Sequence, residues 1–177
     1  GFEIASGEVL IIQNPECLHV GDLISYAAEN SAVNKYIAFG CYALDQTKTQ
    51  MISRVSGGFT ERIVEIISPT NDVPLDQCPS MNRWYQHSVF SPRGLNFCTA
   101  ITKRDLEDLG GFDEAYAPGI SYDDTEFIRR IYRKGMQVDM KERRSRCFHR
   151  VYHCLFNAIL VVEAVSLPKI DDQVTAC

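Results

Sequence analysis

The sequence predicts an α/β fold: one mixed sheet flanked by helices. Three observations carry that prediction. Residues 8–12, Glu-Val-Leu-Ile-Ile, form a short apolar run rich in β-branched side chains. It lies between Ala5-Ser6-Gly7, read as a helix end capped by Gly7, and a polar tip, Gln13-Asn14-Pro15-Glu16. Helix end, buried strand and polar tip are the rhythm of α/β folds. Residues 35–44 give a second apolar run with high β propensity. Helical spacing is clearest where Phe127, Ile128 and Ile131 recur ahead of a stop at Gly135.

In chain order, the unbroken run at 8–12 reads as a strand buried on both faces, typical of a parallel sheet. Asp22 supplies a capping oxygen for a helix over 23–30, with Ile24, Ala27 and Ala28 turned inward. Residues 35–44 form a sheet strand. Residues 46–55 are weakly helical and end before Gly57-Gly58. Residues 60–67 fit a short helix or a strand equally well. Residues 68–83, rich in Pro, Asn, Asp and Ser, predict a long loop. Trp84-Tyr85-Gln86-His87-Ser88 follows; its tryptophan either stacks on a sugar or anchors the loop in the core. Residues 97–101 predict another strand, and Thr102 caps a helix over 103–109. Met136-Gln137-Val138-Asp139-Met140 alternates as an edge strand does. The whole of 1–177 reads as a single domain, closing with a helix and frayed tail over 155–177.

Composition bounds the function classes. The 177 residues are enough for one domain with a core. A net charge of −5 argues against a nucleic-acid surface, which carries a basic excess. Basic residues cluster over 129–146, but acidic and apolar residues interrupt them, as on a solvated helix face. Seven cysteines, an odd number with no Cys-x-x-Cys, favour a reducing compartment. The best late apolar run, residues 155–165, is too short for a membrane helix and contains Asn157 and Glu163. The expected location is cytoplasmic, with a membrane-peripheral position as the alternative.

The most informative stretch is 110–130. A glycine pair and the acidic turn Phe112-Asp113-Glu114 lead through Pro118-Gly119, a loop signal, to Asp123 and Asp124 at the start of a helix. Carboxylates there complement the helix dipole, so one reading of the pair is a cap. The other reading is chemical. A long loop that brings two carboxylates to a helix mouth can build a general base or a metal site.

Gly-Gly-Phe-Asp-Glu, then Gly-Ile-Ser-Tyr-Asp-Asp, then Glu-Phe-Ile-Arg-Arg resemble the second half of family 2 glycosyltransferases of the GT-A fold. The resemblance covers most of the chain. It implies transfer of a sugar from a nucleotide-sugar donor, a UDP- or GDP-sugar, to a hydroxyl acceptor such as a glycan, with inversion. Asp124 matches the family's catalytic base, and Asp123 beside it would raise its pKa by like-charge repulsion. Asn14-Pro15-Glu16 matches the Asp-x-Asp triplet that holds Mn²⁺ or Mg²⁺ against the donor diphosphate, with Asn and Glu in the two acidic positions. Glu16 and Asn14 are therefore the expected metal ligands. His149 matches a further ligand after the last strand, with His153 as the second choice. Trp84, His87, Arg93, Gly119 and Tyr122 are the expected substrate contacts. The family's amino-terminal nucleotide-binding strands have no counterpart before Glu8. The chain thus resembles an incomplete GT-A domain, whose sheet is expected to show an unpaired edge.

Two readings compete. One is a degenerate GT-A remnant without catalysis, kept for an interaction surface. The other is a zinc-binding module of Cys147, His149, His153 and Cys154, with the histidines one helical turn apart. Its cysteines flank the histidines instead of pairing as in zinc fingers.

Overall fold

The computed structural model describes residues 2–55, 61–67, 83–116, 122–150 and 160–165, with Arg83, 142–150 and 160–165 described by their backbone alone. The strands are β1 (Val9–Gln13), β2 (Cys17–Val20), β3 (Lys35–Leu44), β4 (Arg83–Gln86), β5 (Cys98–Thr102), β6 (Gln137–Arg150) and β7 (Leu160–Val165). The helices are α1 (Leu23–Asn30), α2 (Gln46–Ser53), α3 (Glu61–Ile67), α4 (Lys103–Asp108) and α5 (Tyr122–Arg133). Short 3-10 turns occupy Phe2–Ile4 and Glu114–Tyr116.

The strands form one mixed sheet in the order β2-β6-β3-β5-β1-β7, with β4 added to β3. Only β3 and β6 run parallel; every other described pairing is antiparallel. β1 is buried at every residue, yet both its neighbours oppose it in direction. Its unbroken apolar run reports two covered faces rather than a parallel sheet. Leu10 and Ile12 join Tyr36 and Ile101 beneath Leu106 of α4 and Phe127, Ile128 and Ile131 of α5. Val9 and Ile11 join Ile37, Phe39 and Ala100 against Leu23 and Ala27 of α1. A third cluster packs Tyr42 and Leu44 with Ile52, Ile63, Ile67 and Trp84.

Several expectations change. Residues 61–67 resolve as a helix. Ile24 is 37% exposed, and Leu23 takes the inward place one turn before Ala27. Gly7 is not left-handed; the segment before β1 is a single 3-10 turn. β6 is an interior strand, since its residues pair with both β2 and β3. The alternating pattern of 136–140 reflects cover on one face, not a sheet edge. Within the apolar tail, residues 160–165 form a strand, not a helix, in keeping with the β-branched Val161, Val162 and Val165. This β7 lies against β1, and β2 and β7 end the strand order among the described residues.

Candidate acidic site at the amino end of α5

The Gly-Gly-Phe motif is a bracket that aims α5. The Thr102 hydroxyl accepts the Asp105 backbone N–H at 3.1 Å and starts α4. α4 ends where Gly110 N–H donates to the Glu107 carbonyl at 2.8 Å and Gly111 N–H to the Leu106 carbonyl at 2.9 Å. Both glycines are left-handed, with φ of 78° and 69°. At Gly111 a Cβ would meet the Phe2 ring at 2.5 Å, so side-chain bulk is excluded there as well. Phe112 stacks on Phe127 of α5, with centroids 4.5 Å apart. Arg130 fastens the assembly. Its Nε and Nη2 donate to the two Glu126 carboxylate oxygens at 2.6 Å each. Its Nη1 donates to the Leu109 carbonyl and, at 2.8 Å, to the Gly111 carbonyl. At the far end, Gly135 (φ 73°) closes α5, and Met136 N–H donates to the Ile131 carbonyl at 3.2 Å.

Asp123 and Asp124 occupy the first turn of the helix so aimed. The segment before β5 comes in against them. Gly94 has φ 70°, and a Cβ there would lie 2.9 Å from Ile128 Cδ1, so only glycine lets this segment press on α5. That approach delivers Asn96, 1% exposed. The Tyr36 hydroxyl donates to Asn96 Oδ1 at 2.6 Å. The Asn96 backbone N–H and side-chain amide both act on Asp124 and favour its ionised form. Burial acts the other way and is larger; the neighbouring Asp123 charge adds to it, and the Asp124 carboxyl is pushed up to about 6. No cation contributes to Asp124 among the described residues. Burial, helped by the Asp124 charge, also holds the Tyr36 phenol far above its ordinary range.

The β1 tip makes a corner into a strand, not a turn into a helix. Asn14 N–H donates to the Phe97 carbonyl at 3.0 Å, and Cys17 N–H donates to the Asn14 carbonyl at 3.0 Å. Pro15 sits second in this turn, where its fixed φ is favoured. Gln13 Nε2 braces it by donating to the Cys17 carbonyl at 3.0 Å. The corner is tied to the segment that meets α5, because Phe97, whose carbonyl it binds, follows Asn96 and the Gly94 approach to Ile128. The β2–β6 register also sets His149 directly opposite Cys17. The backbone therefore gathers the three expected metal positions, Asn14, Glu16 and His149. Among the side chains described, no group of three or more His, Cys, Asp or Glu residues is placed to hold a metal ion.

The remaining expected contacts fare differently. Trp84 is 2% exposed and meets Tyr42 edge-on at 5.2 Å. It is a core anchor with no open face for a sugar. His87 Nδ1 accepts N–H groups from Val89 (3.0 Å) and Phe90 (3.3 Å), so this ring shapes a local turn. Arg93 is exposed, and Tyr122, at the start of α5, is 71% exposed. Gly119, His153 and Cys154 lie outside the described residues. Cys147 and His149 belong to strand β6. Sequence reasoning missed Asn96 and Tyr36 as site residues; the only local signal was a glycine two residues before an Asn at a strand entrance. Among the described residues, no helix is long and apolar enough to cross a membrane. Compared with protein-family models, curated proteins and solved structures, the chain finds no match.

Proposed function

We propose that this chain is a GT-A-like glycosyltransferase domain that moves a sugar from a UDP- or GDP-sugar to a hydroxyl acceptor, with inversion. The observation that carries this reading is Asp124. Its carboxyl is partly buried, has no cation acting on it among the described residues, and is pushed up to about 6. A group of that pKa is mostly ionised at neutral pH and still basic enough to take a proton in the transition state. In the proposed reaction the acceptor hydroxyl loses its proton to Asp124 as its oxygen attacks the anomeric carbon. The bond from that carbon to the nucleotide diphosphate breaks on the opposite face.

The Asn14-Pro15-Glu16 corner supplies one carboxylate and one amide oxygen, hard donors of the kind Mn²⁺ and Mg²⁺ take. Glu16, Asn14 and His149 would hold such an ion, whose chemistry is to neutralise charge on the leaving diphosphate. Arg93 and Tyr122, both exposed, remain the substrate contacts of this reading; Trp84 and His87 support the fold.

Calorimetric titration of the full chain with UDP, with and without Mn²⁺, tests it. Binding that requires Mn²⁺ and weakens in Glu16→Ala is the expected result. Absence of binding in both conditions would remove the donor site. Equal Mn²⁺ dependence in Glu16→Ala would release the corner from its role.

A further inference from the structure

We infer that the buried face between β5 and α5 holds one water molecule, bridging the Asn96 side-chain amide and the Thr99 hydroxyl beside the Tyr36 phenol. Asn96, Thr99 and Tyr36 are closed to solvent, at 1%, 0% and 0% exposure. Strand register brings them together. Tyr36 lies opposite Ile101 of β5, yet its hydroxyl donates at 2.6 Å to Asn96 Oδ1, ahead of that strand's first residue. The phenol ring must therefore run along β5, over Thr99. Thr99 lies directly between Ile12 of β1 and Ala38 of β3, and both belong to the cluster beneath α5, so its side chain shares that face. Phe127 of α5 meets the Tyr36 ring edge-on, with centroids 6.2 Å apart, and roofs the group.

This group contains a buried donor and a buried hydroxyl that are both orphaned. Among the described residues, neither Asn96 Nδ2 nor Thr99 Oγ1 has a hydrogen-bond partner. Thr99 acts on the Tyr36 phenol without completing a hydrogen bond to it. Leaving two such groups dry costs more than immobilising one water does. Buried waters settle where about three polar partners converge. Here the water accepts from Asn96 Nδ2 and from the Thr99 hydroxyl. It donates to a lone pair that the Tyr36 oxygen keeps after giving its own proton to Asn96. Turning the amide over would exchange an orphan donor for an orphan acceptor and leave the same demand. The site does not depend on the proposed reaction, since no substrate and no carboxylate takes part in it.

Two measurements on the full chain test the inference. A crystal structure that shows ordered solvent should carry one solvent peak about 2.7–3.2 Å from both Asn96 Nδ2 and Thr99 Oγ1. Oxygen-17 relaxation dispersion counts long-lived internal waters. It should find one fewer in the triple variant Tyr36→Phe, Asn96→Leu, Thr99→Val, which keeps the bulk of the group and removes its polar atoms. A bare site, a protein group bridging the two atoms, or an equal count of waters in the two proteins overturns the inference. If the triple variant does not fold, the wild-type density decides alone. No donor, acceptor or metal enters either measurement, so the water site stands or falls separately from the proposed sugar transfer.

Discussion

Glu126 and Asp124 stand two residues apart on α5, and their surroundings are opposite. Both Glu126 oxygens are held by the Arg130 guanidinium at 2.6 Å. Asp124 has a second carboxylate beside it, and among the described side chains no cation, only the dipoles of Asn96 and of the α5 amino end, favours its charge. One acid is neutralised and becomes a fastener between α5 and the glycine bracket. The other is left electrically unsettled at the helix mouth. Position on the helix does not separate the two roles; the available partner does.

The sharpest way to break this contrast is to remove each partner in turn. Asp124→Asn keeps the shape and deletes the proposed proton acceptor. Transfer should fall by about a thousandfold, measured as product formed at saturating donor, with Mn²⁺-dependent UDP binding retained. Turnover at the wild-type rate would strip Asp124 of the base role.

Arg130→Ala attacks the fastener instead. It strands the Glu126 carboxylate and two backbone carbonyls, at a cost of about 2–4 kcal/mol of unfolding free energy. The pair is about a fifth exposed, which keeps the expectation below that of a fully buried pair. Urea denaturation reads the loss; a cost within a few tenths of a kcal/mol would mean that the bracket holds without it.

The smallest effect is the pH dependence of stability. In the folded state Asp124 binds its proton more tightly than at the ordinary value of 3.8. Its contribution is therefore fully present below about pH 4 and lost as pH rises through about 6. Asp124→Asn should remove that loss and leave the variant more stable than wild type at pH 8, by on the order of 1–3 kcal/mol. Equal stability at pH 5 and pH 8 in wild type and variant alike would show that the carboxylate is better solvated than its neighbours imply.

The sequence made local features legible. The bounds of β3 and α1 agree with the expected ranges, and Asp22 and Thr102 cap their helices as their side chains allow. Each of these depends on a few consecutive residues. Strand direction was not legible: a strand covered on both faces looks the same whichever way its neighbours run, as β1 shows. Nor could β2 and β7 be anticipated, because their partners lie far along the chain. The acidic pair stood out at once, but its setting did not. Asn96 and Tyr36 become neighbours only when β3, the segment before β5 and α5 come together. Arg130 fitted a solvated basic face until Gly111 was placed against Phe2 and its carbonyl turned toward α5.

β3 touches β4, β5 and β6, and all but its first residue is buried. Its parallel partner β6 comes from the far half of the chain, with α2, α3, β4, β5, α4 and α5 between them. Closing so long a loop is slow, because entropy is lost before contacts compensate it. Tyr36 lies at the start of β3, paired to Ile101 on one side and Val138 on the other. The hydrogen bond from the Tyr36 hydroxyl to Asn96 Oδ1 joins residues 60 apart in sequence. The surroundings of Asp124 therefore depend on pairings between distant parts of the chain, not on any one local segment.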